Sequence, residues 1–163
     1  MDSYKYLGTI FDSQLKFDVN TDTIVKKGQQ RIHLLRRLNS FNVSKKIQCL
    51  FYKSFIESLL TFSFICWFNG LSVKEKNCLN SIVKICSKII GVKQEDLSSL
   101  WDKRVVKKAK GIIDQHDHIL STEFSLMPSG RHFKGPPMKT NRCSRSFIPS
   151  AIRLLNLDPC LWK

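Results

Sequence analysis

The apolar positions follow two rhythms. Tyr4-Lys5-Tyr6-Leu7-Gly8-Thr9-Ile10-Phe11 is aromatic and β-branched, Asp12-Ser13-Gln14 is turn-forming, and Leu15-Lys16-Phe17 alternates after it. Such side chains suit a pleated, half-buried surface, so the stretch predicts a β-hairpin turning at Asp12 to Gln14. Two strands alone are marginal in water, so the hairpin must pack on the following helices or on a sheet outside this chain. The period then becomes helical. Ile24, Ile32, Leu35 and Leu38 predict a helix from about Thr21 to Leu38. Ser44 suits an N-cap, and Ile47, Leu50, Phe51, Phe55 and Leu59 make one stripe behind it. From Leu59 through Phe62, Phe64, Ile65, Trp67 and Phe68 the chain is apolar nearly all round, which predicts a buried central helix ended by Asn69-Gly70.

Ser72-Val73-Lys74-Glu75 fits the S-x-x-E capping box, in which hydroxyl and carboxylate satisfy two backbone donors reciprocally. Leu79, Ile82, Val83, Cys86, Ile89 and Ile90 form the apolar face of that helix, and Gly91 suits its end. A further helix, about Ser98 to Ile119, should bury Leu100, Trp101, Val105 and Ile112. Pro128, Gly130, Gly135, Pro136 and Pro137 fall within ten residues and predict a basic, extended loop. Pro149 to Asn156 reads as a short helix, Pro being favoured in a first turn. The expected fold is mainly α: a short N-terminal β-hairpin over 1–18, a helical bundle over 19–120, and a Pro/Gly-rich basic tail with a short C-terminal helix over 121–163.

Charge changes the picture. There are 27 Lys+Arg against 13 Asp+Glu, a net +14. Lys26, Lys27, Arg31, Arg36, Arg37, Lys45, Lys46 and Lys53 follow one another with no acid between them. The expected partner is therefore polyanionic: nucleic acid, RNA or DNA, bound without sequence preference. No apolar run reaches the length of about 18 residues that argues for a span, so no membrane partner is expected. Nor does an apolar run of signal-peptide length follow Met1-Asp2-Ser3-Tyr4-Lys5. Cys49, Cys66, Cys78, Cys86, Cys143 and Cys160 make no C-x-x-C pair, and they read as buried free thiols in a reducing, intracellular compartment.

Candidate chemistry is sparse. Two-metal phosphoryl transfer needs clustered carboxylates, and no Asp-Asp pair occurs. Neither G-x-x-x-x-G-K nor G-x-G-x-x-G is present to cradle a phosphate. Asp114-Gln115-His116-Asp117-His118 offers metal-type ligands, but adjacent helical positions point apart, so a polar helix end is the simpler reading. No catalytic residue, metal or cofactor is expected, and the chain reads as no enzyme on its own.

Two resemblances sharpen this. Lys5 to Asp12, followed by Leu15-Lys16-Phe17, resembles the primer-grip hairpin of LINE-type (non-LTR) retrotransposon reverse transcriptases. The helices from Thr21 to Gly91 resemble the thumb that follows it. Leu126-Met127-Pro128-Ser129-Gly130-Arg131, Lys139-Thr140-Asn141-Arg142 and Ser146 to Asn156 resemble the C-terminal segment of such proteins. This implies a truncated remnant, a thumb-like bundle without the catalytic aspartates, whose second partner would be a missing palm and fingers domain. It also implies that Tyr6, Leu7 and Gly8 touch a nucleic-acid backbone, with Lys26, Lys27, Arg31, Arg36, Arg37, Lys45, Lys46, Arg131, Arg142 and Arg145 meeting phosphates. Lys5 to about Trp67 also resembles the N-terminal domain family of AlkB homologue eight, a tRNA-modifying protein. That likeness implies a fragment of a methyltransferase or 2-oxoglutarate-dependent dioxygenase, although neither a glycine-rich cofactor loop nor H-x-D with a distal His occurs.

Overall fold

The computed structural model describes residues 3–115 and 117–157. The chain is mainly α, with a two-stranded antiparallel hairpin at its start. It divides into two compact units, one up to Leu97 and the other from Ser98.

In the first unit, β1 (Ser3–Tyr6) pairs with β2 (Thr9–Asp12), Tyr6 opposite Thr9 and Ser3 opposite Asp12. Leu7 and Gly8 turn the chain with φ of 46° and 91°. Two central residues with positive φ match the right-handed twist of the strands, and Gly8 adopts that region without steric cost. This corrects the expected hairpin: the turn lies inside the expected first strand, and Leu15-Lys16-Phe17 joins no strand among the described residues. Asp12 to Phe17 is instead a tight reversal held by one carboxylate. Asp12 accepts the backbone N–H of Gln14 (2.8 Å), Lys16 (3.0 Å) and Phe17 (2.7 Å). The hairpin does pack on a helix of this chain, since Ile10 N–H donates to Asn20 Oδ1 at 3.1 Å.

The first helix, α1 (Asp18–Ser40), is longer than expected at both ends and buries Ile24, Gly28, Ile32 and Leu35. Next, α2 (Lys45–Leu60) carries a π-helical segment over Tyr52–Glu57. It is separated from α3 (Phe64–Gly70) by a 44° bend at which Ser63 has φ 51°. The expected single central helix is thus two. Its inward face is also another one: Gln48, Tyr52, Ile56 and Leu60 are buried, while Ile47, Leu50 and Phe55 are exposed. Among the described residues no single helix is long and apolar enough to cross a membrane; α2 and α3 meet that measure only as a bent pair.

The capping box at Ser72 forms as read. Ser72 N–H donates to Glu75 Oε2 at 2.8 Å and Glu75 N–H to Ser72 Oγ at 3.3 Å, opening α4 (Val73–Ile90). Leu79, Ile82, Val83, Cys86 and Ile90 are buried along it, and Gly91 (φ 74°) ends it with a bond to Ser87 O. This helix packs extensively on α1.

In the second unit, α5 (Leu97–Ile113) ends six residues before the expected Ile119, burying Trp101, Val105, Ala109 and Ile112. The Pro/Gly-rich stretch is less extended than expected. Leu126 and Phe133 bridge, Phe124 meets Phe133 edge-on at 6.2 Å, and Gly130 N–H bonds Met127 O. After a single turn, α6 (Asn141–Ser144), the chain enters α7 (Phe147–Leu157). Asn156 clamps the loop from α7: its Oδ1 accepts Phe133 N–H at 2.8 Å and its Nδ2 donates to Phe133 O at 3.1 Å.

The thiols also differ from expectation. Cys86 is buried, but Cys66, Cys78 and Cys143 are exposed and Cys49 is half-buried; Cys160 lies outside the described residues. The three exposed thiols stand on the solvent sides of their helices, so the presence of an apolar helical pattern around them does not bury them.

Candidate nucleic-acid interface

A cleft of about 360 Å³ lies beneath the hairpin turn. Leu7, Gly8 and Thr9 form its rim, Asn20, Thr23, Ile24, Lys27 and Arg31 its α1 wall, and Ser58, Leu59 and Phe62 the opposite wall. The helical period places these α1 residues together: 20, 24, 27 and 31 are steps of four, three and four. Gly8 faces the ring of Phe62, a Cβ there lying 3.6 Å from Cε1.

Its chemistry is that of a donor-lined pocket with apolar sides. Lys27 and Arg31 supply positive charge, and among the described residues no carboxylate lines the cleft. Arg31 is held in place from α2: its guanidinium donates to Phe55 O and lies 5.5 Å from the Phe55 ring centroid. Asn20 is 3% exposed; its Oδ1 takes the Ile10 N–H, and its Nδ2 has no partner among the described residues. A buried donor without a partner costs roughly 1–3 kcal/mol. Two cations between apolar walls suit a phosphate ester with its attached sugar or base.

The structure brings together Leu7, Gly8, Lys27 and Arg31 of the residues singled out in the sequence. Tyr6 precedes the rim and is exposed. Lys26 and Arg37, eleven residues or about three turns apart, share the outer face of α1, and Arg36 lies on another side. Lys46 is exposed near the start of α2, whereas Lys45 reaches the end of α4: a Cβ at Gly91 would lie 3.5 Å from its Nζ. There it meets the negative end of a helix dipole. Arg131, Arg142 and Arg145 are exposed in the second unit.

Asn20, Thr23, Ser58 and Phe62 are cleft residues that sequence reasoning missed. One signal was available: Asn20 stands four residues before Ile24, a polar side chain in the core register of α1. Two carboxylates near this end of the molecule are perturbed in opposite senses. Asp12 is held below its ordinary value, foremost by the Lys16 N–H and also by those of Phe17 and Gln14, against some desolvation. Asp18 is raised by desolvation and then by neighbouring Glu75.

Among the described residues no group of three or more His, Cys, Asp or Glu is arranged to hold a metal ion. His116 lies outside them, and His118 Nδ1 accepts the Leu120 N–H at 3.1 Å.

The segment that supplies the α1 wall, and Ser58 of the opposite wall, also resembles a known family. A model of the family described as alkylated DNA repair protein alkB homolog 8, N-terminal, matches residues 17–58. That is about a quarter of the chain, and narrower than the Lys5 to Trp67 span read from sequence. No curated protein and no solved structure matches. The finding corrects the retrotransposon reading: the match points to the alkB homolog 8 N-terminal family and not to a LINE-type reverse transcriptase. The hairpin supposed to carry that reading also lacks the expected form, since Leu7-Gly8 is its turn and not part of a strand.

Proposed function

We propose that this chain holds nucleic acid by its phosphate backbone, as a substrate-holding segment akin to the N-terminal part of alkB homolog 8, and leaves the chemistry to residues elsewhere. The carrying observation is the convergence of Lys27 and Arg31 in one cleft that no carboxylate among the described residues lines. The matched family takes its name from a DNA repair protein, which agrees with a nucleic-acid ligand for such a cleft. The contacts proposed are to phosphate charge, which carries no sequence information, so binding is sequence-independent and RNA and DNA are both candidates.

Fluorescence anisotropy of a labelled single-stranded oligonucleotide at several salt concentrations tests this. The log–log slope should be about −0.7 for each phosphate neutralised. Lys27→Ala, an exposed position, should flatten the slope by about 0.7 and weaken binding equally on unrelated sequences. Salt-insensitive binding, or none at low salt, would falsify the reading.

A further inference from the structure

A second surface of the first unit has no place in that reading. Along α2, Ile47, Leu50 and Phe55 are 53%, 66% and 50% exposed. Phe51 belongs to the same face and is half-buried, its ring stacked on Phe55 with centroids 5.1 Å apart. The helix α1 runs alongside in the opposite direction. Gln48 Nε2 reaches Asn39 Oδ1 at 3.3 Å near the connecting loop, and Arg31 reaches Phe55 two turns further along. Leu34 and Leu38 follow Arg31 at steps of three and four, so they lie on the side of α1 that meets α2. Leu34 is 45% exposed and Leu38 half-buried.

We propose that the seam formed by Leu34 and Leu38 of α1 with Ile47, Leu50, Phe51 and Phe55 of α2 docks an acidic amphipathic helix of a protein partner. Shape supports a rod: two antiparallel helices leave a furrow that a third apolar helix face completes. Charge selects its sign. Lys46 and Lys53, seven residues apart, run along one border of the seam and Arg31 stands at the other, while no carboxylate occurs between Lys26 and Phe55. A second copy of this chain would bring another +14 against the same border, which disfavours self-association. Stacking of nucleic-acid bases is disfavoured too, because Phe51 and Phe55 stack on each other and Arg31 already covers Phe55.

The test uses the full chain and a labelled synthetic helix carrying Leu at i, i+3, i+4 and i+7 with Glu elsewhere. The expected result is binding weakened at least tenfold by Leu50→Glu and by Ile47→Glu, both at exposed positions. The pair Lys46→Glu and Lys53→Glu should also weaken it, with the helical content of every variant unchanged by circular dichroism. A peptide of identical composition in scrambled order should bind at least tenfold more weakly. Equal binding of the scrambled peptide, or no binding of the designed one, overturns the proposal. So does a dimer in sedimentation that Leu50→Glu converts to monomer. Anionic vesicles or an oligonucleotide whose binding Leu50→Glu abolishes would likewise reassign the seam. Lys27→Ala leaves peptide binding unchanged, which separates this result from that of the cleft.

Discussion

Single side chains in this molecule are tuned by what surrounds them. Burial raises the Cys86 thiol to about 11, whereas Cys66, Cys78 and Cys143 are exposed. The thiolate is the reactive form. Brief alkylation of the native protein at pH 8 followed by peptide mapping should therefore label the three exposed thiols and spare Cys86 until denaturant is added. Asp12 shows the opposite effect. Its carboxylate collects three backbone N–H groups, with Lys16 the largest contributor, and its folded value lies below the ordinary one. Its stabilisation is thus complete above the unfolded carboxylate value of about 3.9 and is lost as pH falls through the lowered folded value. Amide exchange at Gln14, Lys16 and Phe17 should speed up over that acid window, and Asp12→Asn should show fast exchange at every pH. A lone Asp before a turn is easily read as turn-forming; that it would organise five residues was not legible, because the sequence does not show which N–H groups converge.

Elements were legible where their signals are local. Ser72 and Glu75 predicted a helix start that forms, since a capping box is closed within four residues. Ser72→Ala should cost about 1 kcal/mol in urea unfolding. The hairpin turn was misplaced because aromatic residues surround Leu7-Gly8, while Asp12-Ser13-Gln14 has the more usual turn composition. In α2 the sequence offers two apolar faces, and only tertiary packing chooses between them. Tyr52 and Ile56 go inward with Gln48, whose Nε2 finds Val43 O at 2.8 Å, and the more apolar stripe is left outside. The π-helical segment adds to the difficulty, because it shifts the face by one residue midway. The approach of α1 to α4 rests on one small residue. A Cβ at Gly28 would lie 2.7 Å from Cδ1 of Ile82, itself buried. Gly28→Val should destabilise by about 1–3 kcal/mol, seen as a lower urea midpoint.

For the whole molecule the dominant quantity is the net charge of +14. Such an excess gathers a polyanion but also repels itself in the compact state. These two effects respond to salt in opposite directions. Raising ionic strength from about 0.01 to 0.1 M shortens the screening length from about 30 to 10 Å, enough to quench repulsion between faces of one small unit. The thermal midpoint of the free protein should therefore rise over this range, while its affinity for a single-stranded oligonucleotide falls. Scanning calorimetry and anisotropy on the same samples read both. A midpoint that fell with salt would mean that attractive ion pairs outweigh the repulsion. The charge would then belong to the architecture, and the cleft would have to bind through its apolar walls alone.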